Sequence, residues 1–369
     1  MLDLTPDPVA FLSSYIPLFW LAILAILAGF GGLIWSADRF VGGSAAIAKN
    51  LGLSPMVIGL TIVALGTSAP EIVVSINASI KGLGDLAVGN ALGSNLANIG
   101  MVLAITALIS PLPIQKHLLT QEIPIMLLVT AIAGWFLWDA KLSPTEGIIL
   151  LALLLPLMAI MIYNQRHHSD VKTNSSNNSN SNNNPDGNLQ GASNEIPNMN
   201  NLHATFWFIL GLTLLIISSK FLVWGAQEVA ANFGISPLIV GLTVVAIGTS
   251  LPELAASITS ALKGHHDMAL GNIIGSNIFN ILAVMSVPGL FNTPAMDTAV
   301  FWRDYTAMAG ITLLLVAAIA VDYALRQKAA TVDTPANNRG VARLGRRIGS
   351  LLLMAYAAYY FLLFSPVTA

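Results

Sequence analysis

Two glutamates, Glu71 and Glu253, each lie inside an apolar run and in the same local frame, GTSAPE at 66–71 and GTSLPE at 248–253. A carboxylate held in the hydrocarbon region of a membrane costs about 3 kcal/mol or more unless it is paired or lines a polar cavity. No Lys, Arg or His falls deep in either run, and all six histidines (117, 167, 168, 203, 265 and 266) fall in loops or at run ends. Two carboxylates about 4 Å apart repel by about 4 kcal/mol at an effective dielectric of about 20, so such a pair needs protons or cations between its members. The neighbouring residues favour a hard cation. Pro70 and Pro252 offer no N–H to the carbonyls of Gly66 and Gly248, so the helix is expected to loosen at GTS. That would present the backbone oxygens of Ala64, Thr67, Ala246 and Thr249 beside the hydroxyls of Thr67, Ser68, Thr249 and Ser250. The next apolar run in each copy adds Ser94 and Asn98, then Ser276 and Asn280, at an i, i+4 spacing that shares one helical face. Calcium takes six to eight such oxygens in flexible geometry, whereas zinc or copper would want His or Cys, and the chain has no cysteine. Sodium resembles calcium closely enough in size and oxygen preference to compete.

These groups belong to an internal repeat. Residues 52–103 match residues 234–285 at a constant offset of 182, with 27 identities in 52 gapless positions. Matching of apolar segments alone would supply Leu, Val and Ala identities, but not GTS-PE, K-G--D, GN--GSN and a closing Asn in the same order. Asn90, Asn95, Asn272 and Asn277 fall off the Ser/Asn face and are expected to brace the fold, and Gly89, Gly93, Gly271 and Gly275 to allow close helix approach. Five apolar runs separate the copies, so the two must cross a membrane in opposite directions. Inverted repeats of this kind place a transport site near midplane at their interface.

A membrane setting follows from composition. Hydrophobic residues make up 55 % of the 369 and charged residues only 9 %, against about 25 % in soluble proteins. Apolar runs between charge or turn clusters give ten expected spans, near 15–36, 55–80, 86–109, 120–138, 145–163, 204–226, 237–262, 268–290, 304–324 and 347–365. The fold class is therefore an all-α polytopic membrane protein of ten helices in two inverted five-helix repeats, 1–163 and 204–369. Between them, 164–203 is an Asn/Ser-rich linker too polar to order itself by burial. With the N-terminus outside, inner loops hold 12 Lys and Arg and outer loops 3, which sets both termini outside and the linker in the cytoplasm. The acidic start MLDLTPDPVA is not expected to act as a cleavable signal. Among the remaining acids, Asp85 and Asp267 are expected to cap helices, and Asp38, Glu122, Glu146 and Glu228 to be solvated or paired with loop bases. A net charge of −2 gives no pull toward nucleic acid, no HExxH motif supports a metalloprotease, and polar residues gathered at midplane do not make a channel path.

At GTSxPE and GSNxxN the chain resembles the Ca²⁺:cation antiporter superfamily, and most closely its bacterial calcium/sodium antiporter branch, over all ten expected spans. The resemblance implies a monomeric, non-enzymatic antiporter of the bacterial inner membrane with Ca²⁺ and Na⁺ as cargo, the lipid bilayer as its surroundings and no cofactor. It implies four clustered cation positions. Glu71 and Glu253 would bridge a central calcium position with the Thr67 and Thr249 carbonyls. Ser68 and Ser276 with the Ala64 carbonyl, and Ser94 and Ser250 with the Ala246 carbonyl, would line two sodium positions. Asn98 and Asn280 would face the middle. Many exchangers carry Asp where this chain has Asn280, which leaves two site carboxylates and puts a three-to-one sodium stoichiometry in doubt. A Ca²⁺/H⁺ antiporter would use similar glutamates, so H⁺ stays open as the counter-ion. The linker lacks the calcium-binding domains of animal relatives. By the same analogy spans 1 and 6, with Gly29, Gly31, Gly32 and Gly211, could slide against the rest.

Overall fold

Backbone N–H and C=O groups inside a bilayer have no water to bond, so an apolar run satisfies them within its own helix. The computed structural model describes residues 17–115, 117–177, 198–234, 246–291, 296–329 and 342–364, without the side chains of 164–177, 246, 329 and 364. Its helices are, in order, α1 (Leu18–Asn50), α2 (Pro55–Thr67), α3 (Ala69–Ile80), α4 (Gly84–Ile109), α5 (Leu118–Leu137), α6 (Pro144–Asn177), α7 (Asn201–Asn232), α8 (Ala246–Thr249), α9 (Leu251–Leu262), α10 (His266–Leu290), α11 (Val300–Lys328) and α12 (Arg346–Phe364). Seven of them, α1, α4, α5, α6, α7, α10 and α11, are long and apolar enough to cross a membrane; α2 and α3, bent by 43° at one residue, make an eighth span if taken together. Helices α8–α9 and α12 stand where the seventh and tenth spans are expected, with residues 235–245 outside the described residues. The chain is thus a helical, multi-pass membrane protein.

Three features depart from the sequence expectation. Helix α1 runs to Asn50 rather than ending near 36, because its second half is rich in alanine and the guanidinium of Arg39 lies over the rings of Trp35 and Trp207, 5.5 and 4.9 Å from their centroids. Helix α6 continues to Asn177, into the expected linker, since no Pro or Gly interrupts 157–177; residues 178–197 lie outside the described part. A two-stranded antiparallel ribbon, β1 (Leu112–Ile114) with β2 (Ala342–Leu344), adds strand to the all-helical expectation. It buries Leu112, Ile114, Ala342 and Leu344 on one face and clips the chain before α5 to the chain before α12.

Helices α1 and α7 lie along one another through glycines that extend the 182-residue repeat. A methyl on Gly29 would meet the Leu222 nitrogen at 2.8 Å, and one on its mate Gly211 the Phe40 nitrogen at 2.5 Å. One turn-set further on, Gly43 faces Phe208 and its mate Gly225 faces Ala22 in the same way. The contact is therefore two-fold symmetric, backbone on backbone.

The loops meet in two groups. On the linker face Lys49 donates to the Asn198 side chain (3.1 Å), Gln115 donates to Asp267 (2.6 Å), and Lys263 pairs with Asp38 (2.7 Å). On the opposite face Asp85 accepts the Asp297 N–H (2.9 Å) and the Ala140 carbonyl accepts that of Met296 (2.8 Å). Asp85 and Asp267 thus do not cap: Leu83 and His265 hold the N-cap positions, while both carboxylates reach across to another loop. For Glu122 the expected pairing with a loop base holds, not solvation. It is buried, with His117 Nδ1 at 3.4 Å.

Replacing Gly211 with Leu should drive α1 and α7 apart and cost about 1–3 kcal/mol of stability, whereas Gly31→Ala, whose added methyl would meet no described atom within 4 Å, should be neutral or slightly stabilising. Thermal unfolding of both variants in detergent checks this; equal stability of Gly211→Leu and the parent would mean that the contact is loose.

Candidate cation site

The GTS-P-E sequence breaks its helix where the proline has no N–H to give, and the Gly66 carbonyl of the first copy accepts a backbone N–H of the helix cap instead. Ser68, between α2 and α3, has φ −81° and ψ 4°, and Ser250, between α8 and α9, has φ −88° and ψ 5°. Each break sets a helix C-terminus, with its unsatisfied carbonyls, against the N-terminus of the next helix, whose first turn carries the glutamate. The Gly248 carbonyl, orphaned by Pro252, accepts the Ser219 hydroxyl of α7 at 2.8 Å. The Ala64 carbonyl is already engaged, by the Ser68 N–H at 3.0 Å and the Thr67 hydroxyl at 3.4 Å. Of Ala246 only the backbone, as the first residue of α8, is described.

Glu71 and Glu253 are each 1 % exposed, and among the described residues neither has an ion pair. The two copies meet here. Ser68 of the first donates to Glu253 Oε1 of the second at 3.2 Å, and Thr67 donates to Asn272 at 3.2 Å. Asn95 donates to the Asn277 carbonyl, its own repeat mate, at 3.1 Å, which marks where the pseudo-two-fold axis passes.

Helices α4 and α10 bring the other predicted groups. Asn98 and Asn280, 182 residues apart, each begin a π-helical turn, Asn98–Leu103 and Asn280–Val284, which widens the helix and re-aims its side chains. Both asparagines are fully buried, and neither the oxygen nor the nitrogen of either amide has a hydrogen-bond partner. The same holds for Glu71 Oε2, Glu253 Oε2, Ser250 Oγ and Ser276 Oγ. Ser94 is buried as well. Buried polar atoms nearly always find partners, so six orphaned oxygens on the residues chosen from sequence point to a guest that accepts electron pairs. The donor set is carboxylate, amide and hydroxyl oxygen, which suits a hard cation of the size of Ca²⁺ or Na⁺.

Sequence reasoning undervalued Asn90 and Asn272. Asn90 donates to the Glu71 carbonyl (3.0 Å) and Asn272 to the Glu253 carbonyl (3.5 Å), so each brace holds the backbone of its own copy's glutamate. Their recurrence at the 182 offset was the available signal. From the face of Asp85 and Asp297 a cavity of about 490 Å³ runs inward to Asn90 and Thr249, past Arg303, Asp304 and Tyr359. Its mouth is acidic on balance: Arg303 is held by Asp304 at 2.7 and 3.1 Å, while Asp85 and Asp297 line the opening.

Known proteins resemble the chain over both halves. The sodium/calcium exchanger protein family model matches residues 21–163 and 203–365, the two halves on either side of the linker. CaxA of Alkalimonas amylolytica is 43 % identical over 347 residues, 93 % of this chain and 99 % of its own length. The sodium/calcium exchanger MaX1 of Methanosarcina acetivorans is 30 % identical, covering 92 % of this chain and 98 % of its own. The solved structure of the sodium-calcium exchanger NCX_Mj, soaked with Na⁺ and Ca²⁺, superposes with a TM-score of 0.72 at 30 % identity, over 92 % of this chain and 98 % of that one. A full-length match in both halves, by sequence and by fold, leaves one assignment: the chain belongs to the sodium/calcium exchanger protein family and is a membrane antiporter rather than an enzyme.

Proposed function

We propose that the protein exchanges Ca²⁺ for Na⁺ across a bacterial inner membrane by alternating access around Glu71 and Glu253. The observation that carries this reading is the pair of buried carboxylates, without a basic partner among the described residues, beside orphaned oxygens from both copies. In this reading the Thr67 and Thr249 carbonyls complete a calcium position between the glutamates. Ser68 and Ser276 with Ala64, and Ser94 and Ser250 with Ala246, serve the flanking sodium ions, and Asn98 and Asn280 face the middle. The relatives MaX1 and NCX_Mj, both named sodium/calcium exchangers, support the choice of ions.

Charge explains why exchange replaces conduction. Emptied and occluded, the pair carries −2 in a medium where an unpaired ion costs several kcal/mol. One Ca²⁺ or two Na⁺ cancel that charge; three Na⁺ would leave +1, because residue 280 is Asn. The crossing state is therefore loaded and close to neutral. Ten spans in inverted halves, with the basic linker face in the cytoplasm and the termini outside, would direct the 490 Å³ cavity at Asp85 and Asp297 outward. In this conformation the site is then reached from outside.

Purified protein in liposomes loaded with sodium at uniform pH should take up ⁴⁵Ca²⁺ on dilution into sodium-free buffer. Uptake that follows an imposed pH gradient and ignores sodium would transfer the same site to proton exchange. Glu71→Gln and Glu253→Gln should each reduce uptake to the protein-free background while elution and melting stay normal; full transport in either would overturn the shared site.

Asn280→Asp adds a third carboxylate. It should raise the charge carried per calcium, read as stronger dependence of uptake on a potassium–valinomycin potential. An unchanged voltage response and cation preference would mean that residue 280 does not face the ions.

A further inference from the structure

On the face opposite the linker, a groove of about 730 Å³ lies between the end of α5, the start of α6 and the first turn of α11. Aromatic rings make its walls, Trp135 and Trp138 from α5 and Phe301 and Tyr305 from α11. Single tryptophans at this depth are ordinary interfacial anchors. Here the rings are packed on one another: Trp138 meets Phe301 edge to face at 5.2 Å and Trp302 at 5.6 Å, and Phe301 stacks on Tyr305 at 5.2 Å. The Tyr305 hydroxyl passes over Gly134 to donate to the Thr130 carbonyl at 3.0 Å, and a methyl on Gly134 would collide with it. The wall is thus fixed at its base, while Trp135 and Trp138 stay 81 % and 66 % exposed.

Two carboxylates, Asp139 and Glu146, share this groove. Asp139 Oδ1 accepts the Lys141 N–H (3.1 Å), and Glu146 Oε2 accepts the N–H and the hydroxyl of Ser143 (both 2.7 Å). The other oxygen of each has no partner among the described residues, and neither acid has an ion pair there. The turn that carries Asp139 is held in place: Ala140 has φ 55°, a left-handed conformation uncommon outside glycine, and its carbonyl accepts the Met296 N–H at 2.8 Å.

Charge selects the occupant. Two carboxylates beside exposed π faces call for a cation, and a groove walled by exposed aromatic rings at the edge of a bilayer is filled by lipid. We propose that this groove binds a zwitterionic phospholipid whose head ends in an ammonium group. The nitrogen sits at Asp139 and Glu146 and against the Trp138 ring, where ion pairing and the π face act together. Lys141, exposed and without an ion pair among the described residues, offers its charge to the phosphate. The acyl chains follow Trp135 and Ala131 along α5. An anionic lipid brings no positive charge and is repelled by the two carboxylates. Val300, Arg303 and Asp304, on the same first turn of α11 as Phe301 and Tyr305, line the 490 Å³ cavity, so a head group in the groove bears on one wall of the ion path.

Native mass spectrometry of the purified protein, delipidated in detergent and offered an equimolar mixture of phosphatidylethanolamine and phosphatidylglycerol, reads the preference without transport. The parent should retain phosphatidylethanolamine about fivefold over phosphatidylglycerol, the ratio that one exposed ion pair or cation–π contact supports. Asp139→Asn, which keeps the shape of the turn, should remove that preference. Trp138→Leu, apolar but without a π face, should weaken it. Ala131→Trp, which fills the groove and leaves every charge in place, should remove it as well. Glu228→Gln, an acid at the same end of the molecule outside the groove, should leave it unchanged. Asp139 and Ala131 are both exposed, so either variant carries the test if the other misfolds. Loss of the preference in these variants, with Glu228→Gln like the parent, supports the site. Equal or reversed retention by the parent, or a preference that survives Asp139→Asn or Ala131→Trp, overturns it and leaves the groove as part of the aromatic belt.

Discussion

Two carboxylates buried in a low-dielectric interior without a counter-charge are an unstable arrangement on their own, and the rest of the molecule is organised around making that instability conditional. Glu71 and Glu253 gain some relief from the N-termini of α3 and α9, from the Ser68 hydroxyl and from nearby amides. None of these supplies a full positive charge. The breaks at Ser68 and Ser250 interrupt α2–α3 and α8–α9 one turn before each glutamate, and π-turns begin at Asn98 and Asn280. Both devices spend regular helix geometry on oxygens that have no use in packing.

Much of this could be seen in the residues themselves. The proline after GTS announces a break because a missing N–H is a local, covalent fact, and the bend between α2 and α3 is where it should be. The repeat announces two copies because polar identities at matched positions in apolar helices do not arise from composition. Burial of Glu71, Glu253, Ser68, Ser250, Asn98 and Asn280 followed from their place in the pattern.

Other features are not local and left no mark in the sequence. The π-turns depend on how α4 and α10 pack, not on a π-specific composition. The β1–β2 ribbon pairs segments more than 220 residues apart, and a three-residue strand has too short an alternation to be noticed. Asp85 and Asp267 had the position of caps but found partners on other loops, because tertiary proximity offered the carboxylates a better-placed donor. For Glu122 the sequence left solvation or a loop base open, and the choice of His117 together with full burial depends on tertiary packing. The difference between the two copies is the least legible of all, since copies that share 27 of 52 residues suggest like surroundings.

The Lys263–Asp38 pair on the linker face has no counterpart across the membrane. At the 182 offset its mates are Lys81 and Lys220, two positive charges where the linker-face pair has one of each sign. A half-exposed pair of this kind contributes up to about 1 kcal/mol, and two like charges brought together would act in the opposite sense. The molecule is two-fold in architecture and one-fold in energy. On the alternating-access reading, this difference would favour closure of the linker face over closure of the other. The resting protein would then wait with its mouth turned to the side that the linker does not occupy, and salt, by screening both terms, would bring the two states nearer to balance.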